Sequence, residues 1–179
     1  MTSVNSMYDM VALLRLYIHE PWRAKYIHLY LTMWCCTLVI LSATILQSIP
    51  RYINVLFLTT FVFAVATYIV NINPGHLNVI IGPNNENVKL QGAPLHIFDF
   101  CVHFLPFLYC YFNYSEFYKQ QPFGYATSNA LIIIFVYLWC INPIELYDLR
   151  TRNSNSMEEG LGLGVAALIG ALVYVGIVL

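Results

Sequence analysis

Apolar residues in this chain come in long blocks rather than in alternation. The blocks lie at about 26–46, 52–70, 95–114, 128–144 and 160–179, with shorter polar stretches between them. A helix needs about 20 mostly apolar residues to cross the hydrocarbon core of a bilayer. The pattern therefore predicts an all-α membrane protein, a bundle of about five transmembrane helices over 26–179. Ser48, Ile49, Pro50 and Arg51 form so short a connection that the first two helices should be antiparallel neighbours.

Residues 1–25 form a separate lead-in. Met7, Val11, Leu14 and Ile18 recur at helical spacing, and Pro21 ends the run. This predicts a short N-terminal amphipathic helix over about 4–20 that lies in the membrane interface. Trp22, Arg23, Lys25 and Tyr26 then read as an interfacial anchor. The connection at about 71–94 is punctuated by Asn73-Pro74-Gly75, Gly82-Pro83-Asn84 and Gly92-Ala93-Pro94. Between the first two of these, 76–81 alternates enough for a short strand in a small hairpin, and fits a loop folded over the helix ends equally well.

Composition strengthens the membrane reading. Apolar residues make up 59% of the chain and charged residues 9%, against roughly 45–50% and about 25% in ordinary globular domains. The net charge of −1 and the scattered basic residues leave no phosphate-binding stripe, so nucleic acid is not an expected partner. The expected partners are membrane lipid and other protein subunits. On the five-span reading, Arg15, Arg23, Lys25, Lys89, Arg150 and Arg152 fall inside, with Arg51 and Lys119 outside. That places the N-terminus inside and the C-terminus outside. The cysteines, Cys35, Cys36, Cys101, Cys110 and Cys140, show no CxxC or zinc-finger spacing and read as buried small hydrophobes.

Chemistry concentrates in the third block, which carries His96, Asp99 and His103 ahead of Pro106. At helical spacing the three share one face, and a carboxylate on an apolar helix calls for a partner or a task. Three readings follow from the residues. Asp99 and His103 could pair at i, i+4 and tie into Asn54, Thr59, Thr67, Asn129 or Asn142. They could carry protons or orient a substrate, as in a small transporter. Or they could join ligands from another helix around a metal. Residues seven apart are separated by about 10 Å along a helix, which keeps His96 and His103 from sharing one ion. No metal or cofactor is expected, and no catalytic residue can be assigned from a motif.

The last block holds small residues at helical spacing. Gly160 with Gly164, and Ala166 with Gly170, are small-xxx-small pairs of the kind that let two helix backbones meet closely. Aromatic residues crowd 109–125, as in an interfacial belt or a binding rim.

The stretch His96-Ile97-Phe98-Asp99-Phe100-Cys101-Val102-His103-Phe104-Leu105-Pro106 resembles small multi-spanning membrane proteins of large DNA viruses with an internal membrane. The resemblance covers about a dozen residues of the 179. It implies a virion membrane or minor capsid component touching the capsid layer, and it transfers no catalytic residues. The expected function is a structural or scaffolding membrane protein within a larger assembly. A proton- or ion-coupled transporter using Asp99 and His103, and a metal-dependent membrane enzyme, stand as alternatives.

Overall fold

The computed structural model describes residues 2–4, 31–72, 78–81, 86–90, 93–121, 123–140 and 156–179. Seven α-helical segments and one π segment appear among them. They are α1 (Leu31–Ala43), α2 (Ile49–Tyr52), α3 (Val55–Ile72), α4 (Ala93–Asp99), a π turn (Phe100–Phe104), α5 (Leu105–Lys119), α6 (Tyr125–Cys140) and α7 (Ser156–Val178). Strands β1 (Thr2–Val4), β2 (Asn78–Ile81) and β3 (Glu86–Leu90) form a small sheet in the order β1-β3-β2. β1 runs parallel to β3, with Thr2 opposite Val88. β2 runs antiparallel to it, with Asn78 opposite Lys89. The hairpin anticipated near 76–81 is therefore present. Val4, expected to open an amphipathic helix, instead ends β1. The rest of that helix, 5–20, lies outside the described residues.

The helices sit close to the apolar blocks, but the membrane-spanning reading of them does not hold. Among the described residues, no helix is long and apolar enough to cross a membrane. Helices α1, α5 and α6 have 13, 15 and 16 residues. At about 1.5 Å per residue they reach only about 20–24 Å, short of the ~30 Å hydrocarbon core. The transmembrane bundle, the N-in/C-out orientation and the integral-membrane localisation are corrected accordingly. The physical reason lies in the ambiguity of the pattern. A helix apolar all round belongs either in lipid or within a protein core, and block hydropathy does not separate the two.

Helix α3 shows the second case. Val55, Leu56, Leu58, Thr59 and Thr60 are all buried, although successive residues point in every direction around a helix. Helices α1, α5, α6 and α7 all pack on it. Its threonine hydroxyls are satisfied internally: Thr59 Oγ1 donates to Val55 O at 2.9 Å and Thr60 Oγ1 to Leu56 O at 2.7 Å. Aromatic edges close the remaining gaps, with Phe57 against Tyr174 at 5.1 Å and Trp34 against Tyr137 at 5.7 Å.

The start of α3 is fixed by two polar side chains. Asn54 Oδ1 accepts the Phe57 backbone N–H at 2.9 Å, which caps the first turn. The Tyr118 hydroxyl, carried on α5, accepts the Val55 N–H at 3.2 Å. It lies 2.9 Å from Pro50 O and 3.1 Å from Ile53 O, which its proton serves. Burial pushes the Tyr118 hydroxyl well above the ordinary tyrosine range. It stays protonated and able to donate.

Candidate functional site

Asp99 ends α4, and His103 sits in the π turn one wide helical turn later. The cause of that turn is legible in Pro106. Proline has no backbone N–H, so Pro106 cannot bond the carbonyl four residues back, that of Val102. Cys36 Sγ from α1 occupies that carbonyl instead, at 3.3 Å. The backbone N–H of Leu105 bonds Phe100 O, the wider i to i+5 spacing of a π turn. Cys36 thus holds α1 against the π turn at a fixed height.

One helical turn before Cys36, α1 presents Thr32. Its Oγ1 lies 3.0 Å from His103 Nε2, and His103 Nδ1 lies 2.7 Å from Asp99 Oδ1. A hydroxyl on α1, an imidazole in the π turn and a carboxylate at the end of α4 are thereby strung together. The carboxylate can only accept, so Nδ1 carries the proton and donates to Asp99. In the neutral imidazole Nε2 then keeps its lone pair and can accept the proton of Thr32 Oγ1. Thr32 and His103 are buried, whereas the Asp99 side chain keeps 23% of its surface. The line therefore opens towards solvent at its carboxylate end.

Helical spacing places His96, Asp99 and His103 on one inward face. The structure brings together only Asp99 and His103, and His96 is exposed. The π turn begins between His96 and His103 and interrupts the regular 100° advance that would align them. The partner supplied by another helix is Thr32, which the sequence reading did not single out. Of the residues considered there, Asn54 and Asn129 serve elsewhere: Asn54 Nδ2 donates to Thr127 Oγ1 at 2.8 Å, and Asn129 Nδ2 to Tyr52 O at 2.8 Å. Asn142 lies outside the described residues. Among the described residues, no group of three or more His, Cys, Asp or Glu could hold a metal ion.

The small-residue face of α7 is also shifted from its expected place. Ala166 and Gly170 are on the buried side as anticipated. A Cβ on Gly170 would lie 3.0 Å from Ala64 Cβ, 3.2 Å from Phe61 Cα and 3.3 Å from Thr60 O, so α3 and α7 meet backbone to backbone there. Gly164 points outward, with nothing within 4 Å of a Cβ built on it. Gly162 takes its role, lying against the Tyr68 hydroxyl. The contacting row is Gly162, Ala166, Gly170 and Tyr174, each four residues on. The surroundings of Gly160 lie outside what is described.

The opposite side of α7 presents Val165, Leu168, Ile169, Leu172 and Val173 to the exterior. Helix α6 does the same with Leu131, Ile132, Phe135, Val136 and Trp139, of which Trp139 is 81% exposed. Thr127, Ala130, Ile134 and Tyr137 form its buried row. The exposed residues named on the two faces are all uncharged. No protein-family model, no curated protein and no solved structure matches this chain, so both features stand on their own geometry.

Proposed function

We propose that this protein is a structural subunit of a larger protein assembly, joined to its neighbours through the outward faces of α6 and α7. The observation that carries this reading is the pair of uncharged apolar faces. An apolar surface costs about 25 cal/mol per Å² while it stays in water, and large contiguous apolar patches mark interaction surfaces. The aromatic content of α6, with Phe135 at 64% exposure and Trp139 beyond it, suits a protein contact.

The test is sedimentation velocity on the full chain and on a Phe135→Glu/Leu172→Glu variant, with circular dichroism to confirm that both are helical. The assembly reading expects the parent to sediment well above its 20.5 kDa monomer mass and the variant to shift towards it. A parent that stays monomeric and monodisperse with both faces uncovered would overturn it.

A further inference from the structure

We propose that Thr32 is a base-activated nucleophile, able to take an acyl group at Oγ1 from an activated ester with an apolar acyl chain. Three observations meet at this residue. First, the Asp99 carboxylate lies 2.7 Å from Nδ1 and the Thr32 hydroxyl 3.0 Å from Nε2, so the neutral ring protonated at Nδ1 presents Nε2 to the hydroxyl as a proton acceptor. That order of roles, with carboxylate orienting imidazole and imidazole taking the hydroxyl proton, is what nucleophilic acyl transfer requires. Second, the geometry is held from outside the line. The Cys36 thiol on the Val102 carbonyl and the π turn ahead of Pro106 set the height of Thr32 against His103. Third, the solvent-facing end of the line is flanked by apolar aromatic surface, which suits a neutral, apolar substrate. Phe100 is 44% exposed beside Asp99, and it begins an aromatic row through Phe104 and Phe107, with ring centroids 5.3 and 6.3 Å apart.

The step balances without any further reactant. Thr32 Oγ1 attacks the ester carbonyl carbon while its proton passes to His103 Nε2. The carbonyl–oxygen bond to the leaving alcohol breaks, and that alcohol receives the proton back from the imidazolium. The products are an acyl ester on Thr32 and the free alcohol. A water molecule, deprotonated at the same Nε2, can then release the acyl group as its acid and restore the hydroxyl.

The probe is p-nitrophenyl butyrate, applied to the folded full-length protein and to the same protein unfolded in urea. The readouts are intact mass and peptide mapping. The expected result is one butyryl group on Thr32 of the folded protein and none at that position after unfolding. Thr32→Val and His103→Gln should each lower labelling at this site by at least about tenfold, and Thr32→Ser should keep it. Asp99→Asn should slow the labelling by a factor on the order of 100 or more, because the wrong tautomer then faces the hydroxyl. Folded parent protein labelled only on cysteine or lysine, or not at all, would overturn the proposal. Because the map of the parent protein decides the matter alone, a variant that fails to fold does not blunt the test.

Discussion

The side-chain amide of Asn54 donates to the Tyr174 hydroxyl across 2.5 Å and joins the first turn of α3 to the far end of α7. The same nitrogen also donates to Thr127 Oγ1 on α6, while Oδ1 caps α3 at Phe57. The backbone N–H of Asn54 reaches Ala126 O at 2.9 Å. One buried residue thus links α3, α6 and α7, and every bond it makes replaces one lost to water.

Removing that hub should be costly. Asn54→Ala deletes a helix cap and leaves the Phe57 N–H buried without its acceptor. The expected loss is about 2–3 kcal/mol in urea unfolding. Tyr174→Phe keeps the ring against Phe57 and removes only the hydroxyl, for about 1 kcal/mol. The double variant should lose less than the sum of the two, because both single changes remove the shared bond. Strict additivity would mean that the Asn54–Tyr174 bond contributes nothing.

The glycines of α7 should respond in opposite directions. Gly170→Ala drives a methyl group into Ala64 Cβ and the α3 backbone, for an expected loss of about 1–3 kcal/mol. Gly164→Ala meets open space in a helix and should raise stability by about 0.5–1 kcal/mol. Thermal unfolding of the two variants side by side checks this. Equal effects would show that α7 does not lie on α3 as described.

Thiol reactivity should divide the cysteines. Cys101 and Cys140 are exposed, Cys35 and Cys110 buried, and Cys36 is partly covered. Burial pushes the Cys36 thiol up to about 11 and the Cys110 thiol up to about 12. The thiolate is the reactive form. A disulfide reagent near neutral pH should therefore modify Cys101 and Cys140 quickly, and the other three only as the protein unfolds.

The same shifts predict a loss of stability in alkali. In the folded protein, Cys36 and Cys110 hold their protons above the ordinary thiol value of 9.0. The unfolded chain releases those protons first, so stability is fully present below about pH 9 and falls as pH rises towards 12. The urea midpoint should decline across that window. Replacing Cys35, Cys36 and Cys110 together by alanine should flatten the decline, and an unchanged slope would assign it to the tyrosine hydroxyls that burial also raises, those of Tyr118 and Tyr174.

The positions of the helices were legible in the sequence, because apolar blocks and proline or glycine punctuation act locally. The Asp99–His103 pair was legible too, since i, i+4 neighbours on a helix touch whatever else surrounds them. What surrounds an apolar helix was not legible. Lipid and protein both accept leucine and phenylalanine, and only the packing of α1, α5, α6 and α7 around α3 shows protein on every side of its first turns. Thr32 was out of reach for a similar reason. Its meeting with His103 joins residues 71 apart in the chain, and it depends on a proline-induced π turn that shifts every later side chain around the helix. Even the small-residue row of α7 moved from Gly164 to Gly162, because spacing fixes the interval between contacts while the neighbouring helix selects the face. Local chemistry, then, determined the elements and the nearest pairs. The tertiary structure alone decided which faces are covered, which glycines are pressed against a backbone, and that a hydroxyl completes the line from Asp99 through His103.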